Sequence, residues 1–161
     1  MPKATRIDNL QGLLDRTAII DVVTNYGASM DRREWDLYRS LFLDELDIDF
    51  PDWTGAPQAR ISVDEWVRLV RSTLGGFETT QHRIISHIIQ IEGDRATVDS
   101  HMTARHVWSP TEVQFLGGFY THSLIRQGGE WKLSGVKLVS AWDEGSRDLF
   151  SQAFERGSTL L

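Results

Sequence analysis

The spacing of apolar residues changes partway along this chain, and that change limits the folds open to it. From Asp15 to Met30 apolar side chains recur every three or four residues, as on one face of a helix. Beyond the glycine pair at Gly75 and Gly76 they alternate instead, as they do along a half-buried strand. Helices followed by a series of strands predict an α+β fold in which a sheet curves over the helices.

The first half of the chain contains three predicted helices and one predicted strand. A capping-box pattern from Ser62 to Glu65 opens the last of these helices, and Gly75 ends it. The other elements are helices over residues 15–30 and 34–42 and a strand from Leu46 to Phe50.

The second half is predicted to be a long antiparallel meander. Glycine-containing turns at Gly93-Asp94 and Gly128-Gly129 mark two of its connections. Its strands are predicted from His82 to Ile91, Arg95 to Trp108, Val113 to Arg126 and Trp131 to Trp142. A tail over residues 146–161 follows and suits a last helix or a lid over a cavity.

With 161 residues the chain suits a single domain over residues 1–161, with a core over about residues 12–145. Its net charge of -6, without a clustered basic face, argues against a nucleic-acid partner. No cysteine is present for disulfide or thiolate chemistry. No apolar run approaches the roughly 20 residues that cross a bilayer. The first residues also lack the apolar stretch of a signal peptide, so we expect a cytoplasmic protein without a membrane partner.

Strand alternation predicts which histidines point into the core. On the second strand of the meander, His106 shares a face with apolar residues, whereas His101 lies on the opposite face. His82 and His87 are an odd number of residues apart, and we expect them to face opposite sides. Metal ligands must converge on one point, so this arrangement argues against a metal site.

One carboxylate and two imidazoles form the strongest candidate for a catalytic set. Asp31 ends the first helix, His82 closes the string TTQH, and His106 points inward. A histidine titrates near neutral pH, and a buried aspartate can fix its tautomer and stabilise its cation. Together they suit proton transfer, although each residue alone also suits a structural role. No nucleophile elbow, phosphate-binding loop or dinucleotide fingerprint is present, so no cofactor is predicted.

Several segments together resemble the SnoaL-like branch of the NTF2-like superfamily, near the scytalone dehydratases. The matching segments, between about Asp15 and Trp142, are YGASMDRREWD (26–36), LDIDF (46–50), TTQH (79–82), ARH (104–106) and GGEWKLSG (128–135). The resemblance implies a cone in which a strongly curved mixed sheet wraps around about three amino-terminal helices. It also implies that the cone encloses one apolar pocket.

The resemblance implies roles for individual residues as well. Asp31 matches the aspartate that orients the catalytic histidine, and His82 and His106 match the two catalytic histidines. Met30 and Phe50 stand where the scytalone dehydratases have two carbonyl-activating tyrosines. Either another donor therefore polarises the substrate, or the substrate differs from that of the scytalone dehydratases.

Tyr26 is the leading candidate for that donor. It precedes Asp31 by five residues, a spacing similar to the tyrosine–aspartate pair of bile acid 7α-dehydratase. Tyr120 and His122 are the alternatives, and Tyr120 also lies near the position of a substrate-binding asparagine of the scytalone dehydratases. The tryptophans expected in the pocket wall are Trp53, Trp108 and Trp142.

The resemblance and the residues together predict a cofactor-independent acid–base lyase. It would dehydrate a small apolar hydroxy-carbonyl compound, such as a polyketide, terpenoid, steroid or aromatic-pathway intermediate. Asp31 and His82 would form the base, and His106 or protonated His82 would protonate the leaving hydroxyl. An isomerase, a cyclase or a dehydrohalogenase would use the same residues.

Two further expectations concern partners. A ligand-binding protein similar to the small subunits of ring-hydroxylating oxygenases is the non-catalytic alternative to a lyase. Curved sheets of this kind leave an apolar outer face that partners cover, so we expect a homo-oligomer, a trimer or a dimer.

Overall fold

The order of helices and strands follows the sequence-based prediction in a computed structural model that describes residues 3–54 and 57–160. The described helices are α1 (Leu10–Arg32), α2 (Trp35–Ser40), α3 (Pro51–Thr54), α4 (Val63–Gly75) and α5 (Asp148–Ser158). The described strands are β1 (Phe42–Asp49), β2 (Ala59–Ser62), β3 (Thr79–Glu92), β4 (Arg95–Ser109), β5 (Glu112–Gln127) and β6 (Glu130–Glu144). The short elements α3 and β2 were not predicted from the sequence.

The six strands form one curved sheet in the order β2-β1-β6-β5-β4-β3. β1 pairs with β6 in parallel, and every other neighbouring pair is antiparallel. Gly93 and the pair Gly128-Gly129 adopt positive φ angles at the two predicted hairpin turns. The structure thus confirms the α+β fold and the mixed, strongly curved sheet.

α1 and α4 cover one face of the sheet with their apolar sides. The spacing in α1 buries Ile19, Val23, Tyr26 and Met30 against the core, as its period predicts. α4 begins where the Ser62 hydroxyl accepts a hydrogen bond from the Glu65 N–H, so the predicted cap is confirmed. No helix within the described ranges has both the length and the apolarity needed to span a bilayer.

A bulge in β3 changes the face on which its second histidine lies. Ser86 has a φ of 59°, and the pairing with β4 shifts between Ile85 and Ile88. The extra residue returns His87 to the inner face, where its Nδ1 lies 2.8 Å from the Oγ of buried Ser100. The prediction that His82 and His87 face opposite sides was therefore wrong, because simple alternation counts no bulge.

The carboxy-terminal helix α5 packs tightly against α4 of the same chain. A Cβ at Gly76 would lie 1.8 Å from the Ala153 carbonyl oxygen, and a Cβ at Gly157 would lie 1.9 Å from the Ser72 carbonyl oxygen. Only glycine permits this approach. α5 is thereby held in the wall of the interior cavity described below.

Candidate active site

Asp31 and His82 are in direct contact at the point where the end of α1 meets the start of β3. The His82 Nδ1 lies 2.7 Å from the Asp31 Oδ1, and the His82 backbone N–H donates to Oδ2 at 2.6 Å. The Thr80 hydroxyl also donates to Oδ1, at 2.9 Å. Three donors therefore hold one carboxylate in a fixed orientation.

Local features of the sequence bring these two elements together. β3 is an edge strand, so the backbone N–H of His82 is free to bind Asp31. Gly27 lets α1 approach β3, because a Cβ there would already lie 3.3 Å from the Ile84 side chain. Arg33 ends α1 in the left-handed conformation, and its guanidinium donates to the Phe77 carbonyl oxygen at 2.7 Å, just before β3.

The Asp31 carboxyl is an anion at neutral pH. Burial acts to raise its pKa, but hydrogen bonds from His82 and Thr80 and the charge interaction with His82 outweigh burial and lower the pKa. A carboxylate can only accept hydrogen bonds, so the His82 Nδ1 carries a proton and donates it to Asp31. When the ring is neutral, its lone pair is therefore on Nε2.

His106 is buried on the inner face of β4, which confirms the orientation predicted from strand alternation. Its ring centroid lies 5.4 Å from that of His82, with the two rings nearly perpendicular. Its Nδ1 lies 2.9 Å from the Gln114 Oε1. Burial, together with the nearby His82, lowers the pKa of His106 to about 3, so this ring is neutral near pH 7.

His82 and His106 both line one interior cavity of about 470 Å³. Five of the predicted pocket residues line it too, namely Tyr26, Met30, Phe50, Trp53 and Tyr120. The rest of its wall is mostly apolar and comes from α4, from the sheet and from α5. Among the residues not predicted from the sequence are Trp66, Val70, Leu74, Met102, Phe150 and Phe154.

Two of the predicted wall residues lie elsewhere. Trp142 is 47% exposed on the outer face of the sheet, where it lies over Gly117. Trp108 lies against Phe77, and the Arg156 guanidinium is 3.6 Å from the centroid of the Trp108 ring. Trp108 therefore helps to attach α5, and neither tryptophan lines the cavity.

Asp31 lies outside the cavity, in a second, more polar cleft that also contains His82, Arg32, Arg83 and Arg105. His82 is thus the one residue of the Asp31–His82 pair that borders both spaces. The arrangement places the carboxylate on the solvent side and leaves the Nε2 edge of the imidazole for the cavity.

Tyr26 and Tyr120 line the cavity and form a second polar group together with Tyr38, which does not line it. Tyr26 interacts through hydrogen bonds with Tyr38 and Tyr120, and the Trp66 indole N–H donates to the Tyr38 hydroxyl at 3.0 Å. Burial raises the pKa of all three tyrosines, so each hydroxyl keeps its proton and can donate. Tyr38 was missed from the sequence, where it is one of several apolar residues of the second predicted helix.

His122, one of the alternative donors, is completely buried and does not line the cavity. Its ring lies edge-on to Tyr26, with centroids 4.9 Å apart. Neither ring nitrogen has a hydrogen-bond partner among the described residues, and burial lowers the pKa of His122 to about 3.

The described ranges contain no group of three or more His, Cys, Asp or Glu residues that could hold a metal ion.

Comparison with known proteins gives one family and several similar folds. The family model of the SnoaL-like domain matches residues 11–137. The crystal structure of the Kfla4162 protein from Kribbella flavida is 30% identical in sequence, with a TM-score of 0.80 over 88% of this chain and 98% of that chain. No curated protein matches the chain.

Two further solved structures share the fold at lower identity. A proposed scytalone dehydratase from Novosphingobium aromaticivorans is 18% identical, with a TM-score of 0.75 over 84% of this chain and 90% of that chain. The hexachlorocyclohexane dehydrochlorinase LinA-type3 from Novosphingobium barchaimii is 15% identical, with a TM-score of 0.74 over 87% and 95%. The curved sheet and its helices are therefore of the NTF2-like type.

Proposed function

Because this chain belongs to the SnoaL-like domain family, we propose that its site catalyses a cofactor-independent acid–base elimination. The observation that carries the proposal is the contact between Asp31 and His82 at the wall of an apolar cavity that His106 also lines. A carboxylate that fixes the tautomer of an imidazole turns its other nitrogen into a positioned base. A small apolar hydroxy-carbonyl compound is the proposed substrate.

The proposed reaction begins when the His82 Nε2 removes a proton from the carbon next to the substrate carbonyl. Electrons move onto the carbonyl oxygen, and the hydroxyls of Tyr26 or Tyr120 stabilise the enolate by donating hydrogen bonds. The enolate then re-forms the carbonyl, and the bond from the next carbon to its hydroxyl breaks. The departing oxygen takes the proton back from His82, which leaves an α,β-unsaturated carbonyl and water.

In this series of steps His82 carries out both proton transfers. His106 was the other candidate for the acid, but a ring whose pKa is lowered to about 3 holds no extra proton near pH 7. Its Nδ1 is also engaged by Gln114 rather than directed at the substrate. Asp31 supports the transfers because its charge stabilises the transient imidazolium of His82.

The proposal is tested on β-hydroxyketones and on the saturated ketones that match them. Wild type should release one water from the hydroxyketones, detected as a mass difference, and should exchange the α-hydrogens of the saturated ketones in D₂O. His82→Ala should slow both processes by about 10³-fold. Glu92→Ala, at an exposed position at the far end of the same strand, is the control and should keep both activities.

The two readouts separate the alternatives. Exchange without loss of water would favour an isomerase or a cyclase, whereas water loss that survives in His82→Ala would overturn the assignment of the base. Tight binding of the ketones without either process would favour a ligand-binding protein.

We further propose that a second copy of this chain covers the outer face of the sheet. Ile85 on β3 pairs with His101 on β4, which pairs with Phe119 on β5, and Phe119 pairs with Val139 on β6. Three of these four neighbouring strands therefore place a large apolar side chain in the same row. Between 40% and 57% of each of these three side chains is exposed, which is a large apolar patch to leave in water. Light scattering should give a mass of two or three chains, and Phe119→Glu should reduce it to one.

A further inference from the structure

Gln114 sits opposite His106 in the β4–β5 pairing and is completely buried. Its amide nitrogen donates to the Phe115 carbonyl oxygen at 2.8 Å, and its amide oxygen lies 2.9 Å from the His106 Nδ1. A backbone carbonyl can only accept, so the amide NH₂ must face Phe115. The amide oxygen therefore faces His106, and the His106 Nδ1 must be the donor.

A neutral His106 with its proton on Nδ1 carries its lone pair on Nε2. The aromatic rings of Phe77 and Phe150 pack on the imidazole, with centroids 5.3 and 4.8 Å away, and keep it out of water. The ionisable groups that act on it are His82 and Asp31. His106 therefore offers the cavity a hydrogen-bond acceptor, which is the opposite polarity from the tyrosine hydroxyls on the same wall.

We infer that His106 is a subsite for a hydroxyl group of the substrate and that Gln114 is the positioning residue that fixes its polarity. The inference rests on the proposed function for the identity of that hydroxyl, which is the leaving group. The hydroxyl proton points to the His106 Nε2, and its oxygen is free to take the proton from His82. The water that forms stays in the cavity beside these two adjacent rings, both of which line it.

An acceptor at this point selects among leaving groups. A hydroxyl can donate to the His106 Nε2, whereas a halide has no proton to give and would meet a lone pair. The subsite therefore favours dehydration over dehydrohalogenation, two reactions that the Asp31–His82 base alone does not distinguish.

The polarity of the subsite can be measured without the natural substrate. The probes are 2-naphthol and 2-chloronaphthalene, which differ by one hydroxyl and one chlorine and whose binding is measured by equilibrium dialysis. We compare the preference for naphthol, the ratio of the two dissociation constants, between wild type and His106→Leu, so that the different solubilities of the probes cancel. The preference should be about fivefold greater in wild type, as expected for one net hydrogen bond. The control Arg95→Leu changes an exposed residue at the far end of the same strand and should keep the wild-type ratio.

Gln114→Glu should convert the acceptor into a donor. The new carboxylate accepts from Nδ1–H and its charge raises the pKa of His106, so the ring gains a proton on Nε2. The preference for naphthol should then fall by about fivefold, the loss of one hydrogen bond. Gln127→Glu, at the exposed end of the same strand, adds the same charge and should leave the preference unchanged.

Nitrogen-15 NMR of the wild-type histidines tests the tautomer directly, even if Gln114→Glu does not fold. At pH 6 the His106 signals should be those of a neutral ring protonated on Nδ1. An Nε2-protonated or cationic ring, or a naphthol preference that persists in His106→Leu, would overturn the inference. Neither result depends on whether His82→Ala abolishes elimination, so the two proposals can fail separately.

Discussion

The two histidines of the cavity differ chiefly in the group behind each ring, that is, the group that accepts a hydrogen bond from its Nδ1. Behind His82 is an ionised carboxylate that three donors hold, and it borders a polar, solvent-facing cleft. Behind His106 is an uncharged carboxamide inside a completely buried part of the sheet. In both cases Nδ1 donates and Nε2 is left for the cavity, so the tautomer is the same.

The difference lies in what happens when a proton arrives. A negative charge next to Nδ1 stabilises an imidazolium, whereas a neutral amide oxygen in an apolar environment does so only weakly. In the proposed reaction His82 can therefore accept and return a proton, while His106 keeps its lone pair. The single residue bonded to each Nδ1 thus decides whether the ring is proposed as a base or as a hydrogen-bond acceptor, although the two ring centroids are only 5.4 Å apart.

Asp31→Asn should have the largest effect, because it removes the negative charge next to the His82 Nδ1. An amide that donates to Nδ1 would also move the ring proton to Nε2, which removes the base. We expect exchange of ketone α-hydrogens in D₂O to slow by about 10³-fold. Thermal unfolding is the companion measurement, since Asp31 also anchors the end of α1.

Asp21→Asn provides the control for that experiment. It makes the same chemical change at an exposed position of α1 and should leave exchange unchanged. Full exchange in Asp31→Asn would mean that the carboxylate does not orient His82, and the comparison between the two rings would lose its basis.

The sequence predicted the partner of His82, Asp31, but not the partner of His106, Gln114. Helical spacing placed Asp31 at the end of α1, and alternation turned His106 inward, because both depend only on local periodicity. Gln114 was missed because its contact with His106 depends on the register across the β4–β5 turn. That register is set by the turn at residues 110–111 together with the shift in pairing between Val107 and Ser109, and not by any pattern within one strand.

Bulges account for the errors on the strands. The positive φ at Ser86 returns His87 to the inner face, and no glycine marks that position in the sequence. In β6 the pairing of Gly117 with Trp142 and of Gly118 with Ser140 leaves Ala141 as an extra residue, which turns Trp142 outward. Ser140 faces inward and accepts a hydrogen bond from the Trp53 indole N–H at 3.0 Å. Unbroken alternation would place Trp142 on that same inner face. Local sequence cannot reveal an irregularity that arises from pairing between strands.

Acid should destabilise the fold through the buried imidazoles before it affects Asp31. The pKa of His106 is lowered to about 3 in the folded protein, so below the unfolded value of about 6.5 the unfolded chain binds the extra proton. Stability should therefore fall as pH decreases from about 6 toward 3, by roughly 1 kcal/mol per pH unit for this ring. Asp31, whose pKa is also lowered, loses its contribution only at still lower pH, below about 4.

Urea unfolding at pH 5.5 and at pH 4.5 measures this slope. His106→Leu should reduce the dependence on pH by one proton, and His122, whose pKa is lowered in the same way, accounts for much of the remainder. An unchanged slope in His106→Leu would mean that His106 is already charged in the fold, which would make the two rings alike.

The smallest effect is expected from Thr80→Val, which removes one of the three donors to Asp31 and keeps the shape of the side chain. The two bonds from His82 remain, so the carboxylate stays ionised and only its orientation loosens. We expect exchange to slow by about fivefold and the free energy of unfolding to fall by about 1 kcal/mol, as for one hydrogen bond. Thr79→Val, the neighbouring exposed threonine, should change neither quantity. A loss as large as that of Asp31→Asn would show that the carboxylate needs Thr80 to remain charged, and that charge at this position depends on the whole set of donors rather than on His82 alone.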